Sequence, residues 1–255
     1  MSTAVRAAAG IGYPCRVIRF PATHRSVLER IQSPDTDVRR TAFGDLAAGY
    51  WRPSYHYLRL HWHLPPEAAE DLVQAFFATA FEKKYVERYD PAKARFRTFL
   101  RTCLDRFVQN HQKAERAEKR GGRMTLLSLD FPGAEREVDA IGARSASDAE
   151  RFFHDETIRA LFARVVDALK ADCDRDGRSV VFRAFERHDL QPSPDTTYAT
   201  VAAELGVTAA QVTNYLHAAR RRFRDLALDD LRGLVGTDEE FRIEARDLFG
   251  VDVGP

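Results

Sequence analysis

Between Thr196 and Arg224 the chain reads TTYATVAAELGVTAAQVTNYLHAARRRFR. Within it Ala202, Gly206 and Val212 stand four and then six residues apart, and a helix-turn-helix requires that spacing. A first helix needs a small residue where the second crosses it, which Ala202 supplies. The turn needs a residue that tolerates positive φ, which Gly206 does at no steric cost. The second helix needs an apolar residue facing the first, and Val212 fits. Val201 and Leu205 extend the apolar face of helix one, while Val212, Leu216, Ala219, Phe223 and Leu226 recur at helical spacing along helix two. Thr208 is placed to cap that second helix. Its outward residues include Ala210, Gln211, Thr213, Asn214, His217 and Ala218, followed by Arg220, Arg221, Arg222 and Arg224. Short amides near a helix start suit base edges, and arginines further along suit phosphates. A plain helical hairpin with a solvated basic end would show the same pattern.

Composition narrows the rest. A chain of 255 residues with 44% hydrophobic content can bury one or two cores. The net charge of +1 means that any nucleic-acid surface is local and balanced by acid elsewhere. Cys15, Cys103 and Cys173 lie far apart, with neither metal nor redox spacing, and an odd count argues against a disulfide framework. That usage suits a reducing cytoplasm. The start, MSTAVRAAAGIGYP, lacks the apolar core of a signal peptide, and no run approaches transmembrane length. A cytoplasmic protein without membrane attachment is expected. Apolar residues at three- and four-residue spacing, with few alternating runs, predict an all-α fold.

Taken in order, residues 1–22 read as an irregular tail. Val27, Leu28 and Ile31 share a helical face, broken at Ser33-Pro34-Asp35. A second helix is expected from Asp35 or Thr36 through Val38, Phe43, Leu46 and Ala47. Pro53 suits the first turn of a third helix, carrying Tyr55, Tyr57, Leu58, Leu60 and Trp62. His56, His61 and His63 share no helical face and have no interleaved acid or cysteine, so they are read as structural or surface residues and not as metal ligands. After Pro65-Pro66, Leu72, Val73, Phe76, Phe77, Ala80 and Phe81 form a broad apolar stripe. Glu67, Glu70, Asp71 and Gln74 gather in the first turns of that helix. They either complement the helix dipole or offer an acidic docking surface.

Asp90-Pro91 marks a turn into basic sequence. From Lys93 to Arg123 ten Lys or Arg stand against three acids, while Phe96, Phe99, Leu100, Cys103, Leu104, Phe107 and Val108 keep helical spacing. One long helix with an apolar floor and a basic upper face follows. That face is a solvated surface or an electrostatic track for nucleic acid, with Phe107, Gln109, Asn110 and His111 available to unstacked bases. Gly121-Gly122 ends the helix. Arg123 to Ser147 reads as an interdomain linker around Leu126-Leu127-Ser128-Leu129-Asp130-Phe131, part of which can dock. Ser147 or Asp148 caps the next helix, with Phe152, Phe153, Ile158, Leu161, Phe162, Val165, Val166 and Leu169 packing it. Val180, Val181, Phe182 and Phe185 start another. Past Gly233 and Gly236, Thr237 caps a final amphipathic helix with Phe241, Ile243, Ala245 and Leu248.

The order of these parts resembles the sigma-70 family of RNA polymerase sigma factors in its extracytoplasmic-function type. Ala68-Glu70-Asp71-Leu72-Val73-Gln74 is similar to the helix that docks on the polymerase clamp. Tyr89-Asp90-Pro91 through Phe96-Arg97-Thr98-Phe99-Leu100 resembles the element that opens the −10 region and holds single strands. Leu205-Gly206-Val207-Thr208 through Val212, Leu216-His217 and Arg220 resembles the domain that reads the −35 element. The likeness covers about residues 21–118 and 151–226, and FPATHRSV and KRGG…LLSLDF are similar to one large subgroup. The resemblance implies two small helical domains, at 23–118 and 151–232, a linker at 119–150 and a C-terminal helical extension at 233–255.

The resemblance also assigns residues. Glu70, Asp71 and Gln74 would contact bacterial core RNA polymerase. Arg95, Arg97, Arg101, Arg106, Asn110, His111, Lys113 and Arg116 would face −10 DNA. Thr208, Gln211, Thr213, Asn214, His217, Arg220 and Arg221 would face −35 DNA. The implied partners are core polymerase, double- and single-stranded promoter DNA and an anti-sigma factor, with no cofactor, metal or catalysis. The chain departs from the family where Thr213 and Tyr215 replace common basic residues, and where Ala75 replaces an acid after the docking helix's Gln. A helix-turn-helix regulator that never touches polymerase would explain the last domain but leave the acidic and basic helices unused. An enzyme with an appended DNA-binding domain finds no Ser/His/Asp context, phosphate loop or metal spacing in its favour.

Overall fold

The computed structural model of the chain describes residues 27–115, 129–142 and 149–253, and these are helical, with no β-strand among them. The helices are α1 (Val27–Ile31), α2 (Thr36–Leu60), α3 (Pro66–Glu82), α4 (Phe96–Glu115), α5 (Phe131–Gly142), α6 (Ala149–Arg175), α7 (Ser179–Phe185), α8 (Tyr198–Leu205), α9 (Ala209–Arg232) and α10 (Asp238–Phe249). A 3₁₀ turn, Tyr85–Arg88, lies between α3 and α4, and a π turn, Glu186–Leu190, extends α7. The expected N-terminal tail, the Gly121-Gly122 helix end, the caps at Ser147 or Asp148 and Arg116 lie outside the described residues. Two compact units form. One takes Thr23–Ala160 and Arg232–Glu240, and the other is built on Leu161–Leu231 and Phe241–Pro255.

In the first unit α2 corrects the sequence-based expectation. Two helices separated near Pro53 were expected, yet one helix runs through Pro53. Proline inside a helix loses a hydrogen bond and crowds the preceding turn, at about 3 kcal/mol. Burial outweighs that cost, because Tyr50, Trp51, Tyr55, Tyr57 and Leu58 are all enclosed around it. At about 1.5–3 kcal/mol for each fully buried large apolar side chain, this run exceeds the proline penalty. Asp35 starts the helix, accepting hydrogen bonds from the Asp37 and Val38 amides.

The apolar stripe of α3 packs on α2, with Phe43 against Phe77 and Phe81 at ring separations of 6.4 and 5.1 Å. From α4, Phe96, Leu100, Leu104 and Val108 are buried at helical spacing. Phe96 meets Tyr50, while Phe107 lies edge-on to Phe76 at 5.7 Å. Pro66 occupies the first turn of α3, as the Pro65-Pro66 pair implies.

The segment read as a linker contains a helix that the sequence pattern did not yield. In α5, Phe131, Ala134 and Val138 are buried, and Phe131 packs on both Trp51 and Tyr55 at 5.4 Å. An ion cluster fastens it to α2. Arg59 holds Glu135 through two nitrogens at 2.8 and 2.5 Å, and Arg52 meets Glu137 at 2.7 Å. His56, fully enclosed, donates from Nε2 to the Ala134 carbonyl at 3.1 Å, and its Nδ1 lies 2.9 Å from Glu156 and from Arg159. Arg159 also bridges to Glu137 at 2.8 Å. His61 stacks on Tyr57 and His63 is exposed, so the histidines are structural or on the surface.

The second unit is simpler. Val165 and Leu169 of α6, Val181, Phe182 and Phe185 of α7, Val201 and Ala202 of α8, and Val212, Leu216, Ala219 and Phe223 of α9 are buried. Phe223 sits between Phe162 and Phe185, at 5.8 and 5.4 Å, and Phe249 of α10 adds to Phe162 at 5.9 Å. Thr237 accepts from the Glu240 amide, so it caps α10 as the sequence suggested.

The ion cluster makes the first unit acid-sensitive. The hydrogen bonds from Arg59 and Tyr55 hold the Glu135 carboxyl below its ordinary range despite desolvation. Burial pushes Glu156 up, but hydrogen bonds from His56 and Arg159 outweigh it, so its net direction is also down. Both groups therefore contribute stability above the ordinary carboxyl value of 4.5, and that stability is lost as pH falls below it through the folded-state values. Glu156→Ala removes the carboxylate between His56 and Arg159, which keep the Ala134 carbonyl and Glu137, and is expected to cost about 1–3 kcal/mol. Chemical denaturation at pH 7 and pH 4 checks this: the wild-type advantage over the variant should shrink at the lower pH.

Candidate nucleic-acid interface

Three surfaces carry the residues singled out in the sequence. The first is the start of α3. Asp71 is exposed and Glu70 and Gln74 are half-buried, while Leu72, Val73 and Phe76 point into the core. The acidic turn therefore lies on the solvent side of a helix whose other side is fixed by packing. Acid near a helix N-terminus also favours the dipole.

The second surface is α4 and the turn before it. The Asp90 side chain accepts from the Ala92 amide, and its carbonyl accepts from Lys93, which closes the turn expected at Asp90-Pro91. Arg106, Asn110 and Lys113 are exposed, and their i, i+4, i+7 spacing puts them on one helical row. Gln109 is exposed beside them, and Arg95 is exposed in the turn. Arg97 and His111 are half-buried. The Phe107 ring is occupied by Phe76, with His111 at 6.3 Å, so Phe107 belongs mainly to the core and is not an open stacking platform.

Arg101 does not join the open row. Its guanidinium pairs with Asp105 at 2.6 Å and Glu150 at 3.0 Å. Asp105 also accepts from Tyr57 and Trp62 at 3.0 Å each. Burial pushes the Tyr57 hydroxyl up to about 12, so it remains a proton donor at neutral pH. Sequence reading counted Arg101 with the basic face because Arg101 and Asp105, an i, i+4 pair, look like a solvated ion pair, and the distant Glu150 carries no local signal.

The third surface is the α8–turn–α9 unit. Thr197 and Thr200 cap α8 reciprocally. Gly206 ends α8 at φ 68°, the left-handed conformation the turn was expected to need. Thr208 then starts α9 in a second reciprocal cap: its hydroxyl accepts from the Gln211 amide at 3.2 Å, and its own amide donates to Gln211 Oε1 at 2.9 Å. Gln211 is exposed, yet its amide oxygen is committed to the cap. Bidentate pairing with adenine needs that oxygen, so Gln211 would have to surrender the cap to read a base.

Ala210, Thr213, Asn214, His217 and Arg221 are all exposed and share one face of α9. The Thr213 hydroxyl is turned back onto the Ala209 carbonyl at 3.1 Å. Arg220 leaves this face. It grips Asp189 of the π turn through two nitrogens, each at 2.7 Å, and its side chain is only 19% exposed. Arg222 pairs with Asp172 of α6. Asn214, His217 and Arg221 are thus the polar side chains best placed to meet a groove. Among the described residues no cluster of metal-ligating side chains forms, and no helix is long and apolar enough to cross a membrane.

Residues 52–118 match the family model for Sigma-70 region 2. The matched stretch contains the last third of α2, all of α3 and the whole of α4. Over that segment, well under half of the chain, the sequence is similar to members of the sigma-70 family. Comparison with curated proteins and with solved structures gives no significant match.

The two arginines of α9 should fail differently on mutation. Arg220→Ala should lower the melting temperature of the chain, and Asp189→Asn should do so in the same direction, because both break one pair. Arg221→Ala should leave the melting temperature within about 2 °C, since isolated surface substitutions stay within about 0.5 kcal/mol. Differential scanning calorimetry of the three variants decides between these outcomes.

Proposed function

We propose that the chain is a sigma factor of the extracytoplasmic-function type, which brings bacterial core RNA polymerase to promoters and has no catalytic activity of its own. The observation that carries this is the Sigma-70 region 2 match over 52–118, joined to the open Arg106–Asn110–Lys113 row on the last helix of that segment. The domain limits proposed are 23–118 for the −10 and polymerase-binding part and 151–232 for the −35 part.

In this proposal the solvent side of α3, with Glu70, Asp71 and Gln74, meets a basic surface of the polymerase. The α4 row contacts the backbone of separated strands, where Lys and Arg neutralise phosphates and release counterions. Asn110 is the amide nearest to unstacked bases. The exposed face of α9 enters the major groove of the −35 element, with Asn214 as the principal base reader, His217 beside it and Arg221 on phosphate. Neutral Thr213 and Tyr215 leave this domain weak alone, so tethering to polymerase supplies avidity. An anti-sigma factor would compete for the α3 and α4 surfaces.

The decisive experiment is transcription by core polymerase on a randomised promoter library with and without the protein. Start-site-specific transcripts that depend on the protein are expected. Sequence-specific DNA binding with no polymerase association would instead identify a helix-turn-helix regulator. Within the active complex, Asp71→Arg should weaken core binding at least tenfold in a titration while leaving the helical circular dichroism unchanged, because charge reversal across an interface costs several kcal/mol. Asn214→Ala should relax preference at one or two base pairs of the selected −35 motif, whereas Arg221→Ala should weaken all sequences and reduce the salt slope by about one.

A further inference from the structure

Consecutive residues of the π turn grip different points of the α8–turn–α9 unit. The turn closes where the Gln191 amide donates to the Glu186 carbonyl at 2.8 Å. Such turns are wider than an α-helical turn and recur at functional sites. Arg187 donates from two nitrogens to the two carboxylate oxygens of Glu204, at 2.9 and 3.2 Å, and so reaches the end of α8. The His188 ring packs on Tyr198, the first residue of α8, at 5.0 Å. Arg220 of α9 places two nitrogens on the two oxygens of Asp189, each at 2.7 Å. His188 Nδ1 lies 2.6 Å from the same carboxylate. Both ends of α8 and the middle of α9 thus meet one short segment.

These contacts differ in how much they constrain. The apolar floor of α9, Val212, Leu216, Ala219 and Phe223, is buried, but burial is non-directional and resists a small roll of the helix only weakly. A planar guanidinium seated on two carboxylate oxygens resists it strongly. Arg222 also bonds α9 to α6, yet both its nitrogens share one oxygen of Asp172, and its side chain is 48% exposed against 19% for Arg220. Arg164 holds Asp230 at 2.6 Å, at the far end of α9. Asn214, His217 and Arg221 lie within about two turns of Arg220. A roll of roughly 20° at a side-chain radius of about 5–6 Å carries the Asn214 amide about 2 Å sideways, which is enough to break a hydrogen bond.

We propose that Asp189 and Arg220 are positioning residues for base reading by α9. Through Asp189 the π turn sets the roll of the helix, and with it the base pair that Asn214 meets, while Arg187 and His188 hold α8 to the same frame. Neither Asp189 nor Arg220 touches DNA. The inference rests on the proposed entry of α9 into the −35 groove. It moves Arg220, which the sequence placed among the DNA-facing residues, to the orientation of the helix that reads.

The test selects randomised duplex DNA with the full chain in the presence of core polymerase. Bound DNA is recovered on the chain, so a motif emerges whether or not polymerase joins. Sequencing reads the enrichment of preferred over singly mismatched sites, and the total DNA retained is measured beside it. Arg220→Lys keeps the charge and loses the planar fork. Asp189→Asn keeps the shape and loses the charge. Each should cut the enrichment about fivefold while total retention changes less than about twofold, because the phosphate contact of Arg221 persists. The double variant should lose no more than either single one, since both act through one pair. Arg178→Lys, in an exposed pair with Asp176 outside the π turn, is the control and should leave the motif unaltered. Where Asp189→Asn does not fold, Asp189→Glu replaces it: both oxygens stay but move outward by one carbon, and the preferred base pair should shift. An unaltered motif in the folded variants overturns the inference. An equal fall in enrichment and retention also overturns it, because that reports lost fold. Asn214→Ala separates this from the reading beneath it. If Asn214→Ala leaves the motif unaltered, α9 is not the reader and the positioning role falls with it. If Asn214→Ala relaxes the motif and Arg220→Lys does not, base reading by α9 stands and the positioning role alone is overturned.

Discussion

The first unit depends on how four polar groups in the buried stretch of α2 from Tyr50 to Leu58 find partners. Packing alone would explain the aromatic residues, but His56 and the Tyr50, Tyr55 and Tyr57 hydroxyls are enclosed with them. Each finds a partner on another segment: Leu234 for Tyr50, Glu135 for Tyr55, Glu156 and the Ala134 carbonyl for His56, and Asp105 for Tyr57. Leaving one such group unpaired costs about 1–3 kcal/mol. The helix therefore fixes the docking positions of α4, α5, the start of α6 and the segment around Leu234 together. A buried charged network of this kind adds little net stability beyond an apolar core of equal volume, and its main effect is to specify which partners fit.

Local chemistry was largely legible in the sequence, and distant pairing was not. The all-α class, the α3 stripe, the α4 floor, the αL turn at Gly206 and the caps at Thr208 and Thr237 follow from spacing and from residue types whose effects act within a few positions. Pro53 misled because a helix-breaking propensity of a few kcal/mol is local, while the burial that overrides it comes from other segments. The α5 helix was hidden for the same reason: FPGAEREVDAIG contains Pro, Gly and many charges, and its charges make sense only beside Arg52, Arg59 and Arg159.

The candidate interfaces show the same limit in sharper form. Counting basic residues along α4 and α9 identifies where positive charge is concentrated but not which charges are available. Arg101, Arg220 and Arg222 each hold a carboxylate, so their charge is already compensated within the fold. Arg106, Lys113 and Arg221 stay exposed on rows where a backbone could lie. Amides divide similarly: Gln211 serves the cap of its own helix, while Asn214, three residues on, sits on the open face.

This division bears on how a chain with a net charge of +1 can recognise DNA. Long-range attraction from the whole molecule is weak, so non-specific capture of DNA is weak as well. Among the described residues α4 carries a short row of open cations, and the exposed face of α9 shared by Asn214 and His217 carries Arg221. Each is too small to hold DNA tightly, and together they gain from simultaneous engagement only when something fixes them at the right separation. In the proposed complex, a polymerase bound to the solvent side of α3 provides that geometry. On the proposed reading, dispersed small contacts that would be a defect in an independent repressor suit a specificity subunit, because they act together only on the polymerase.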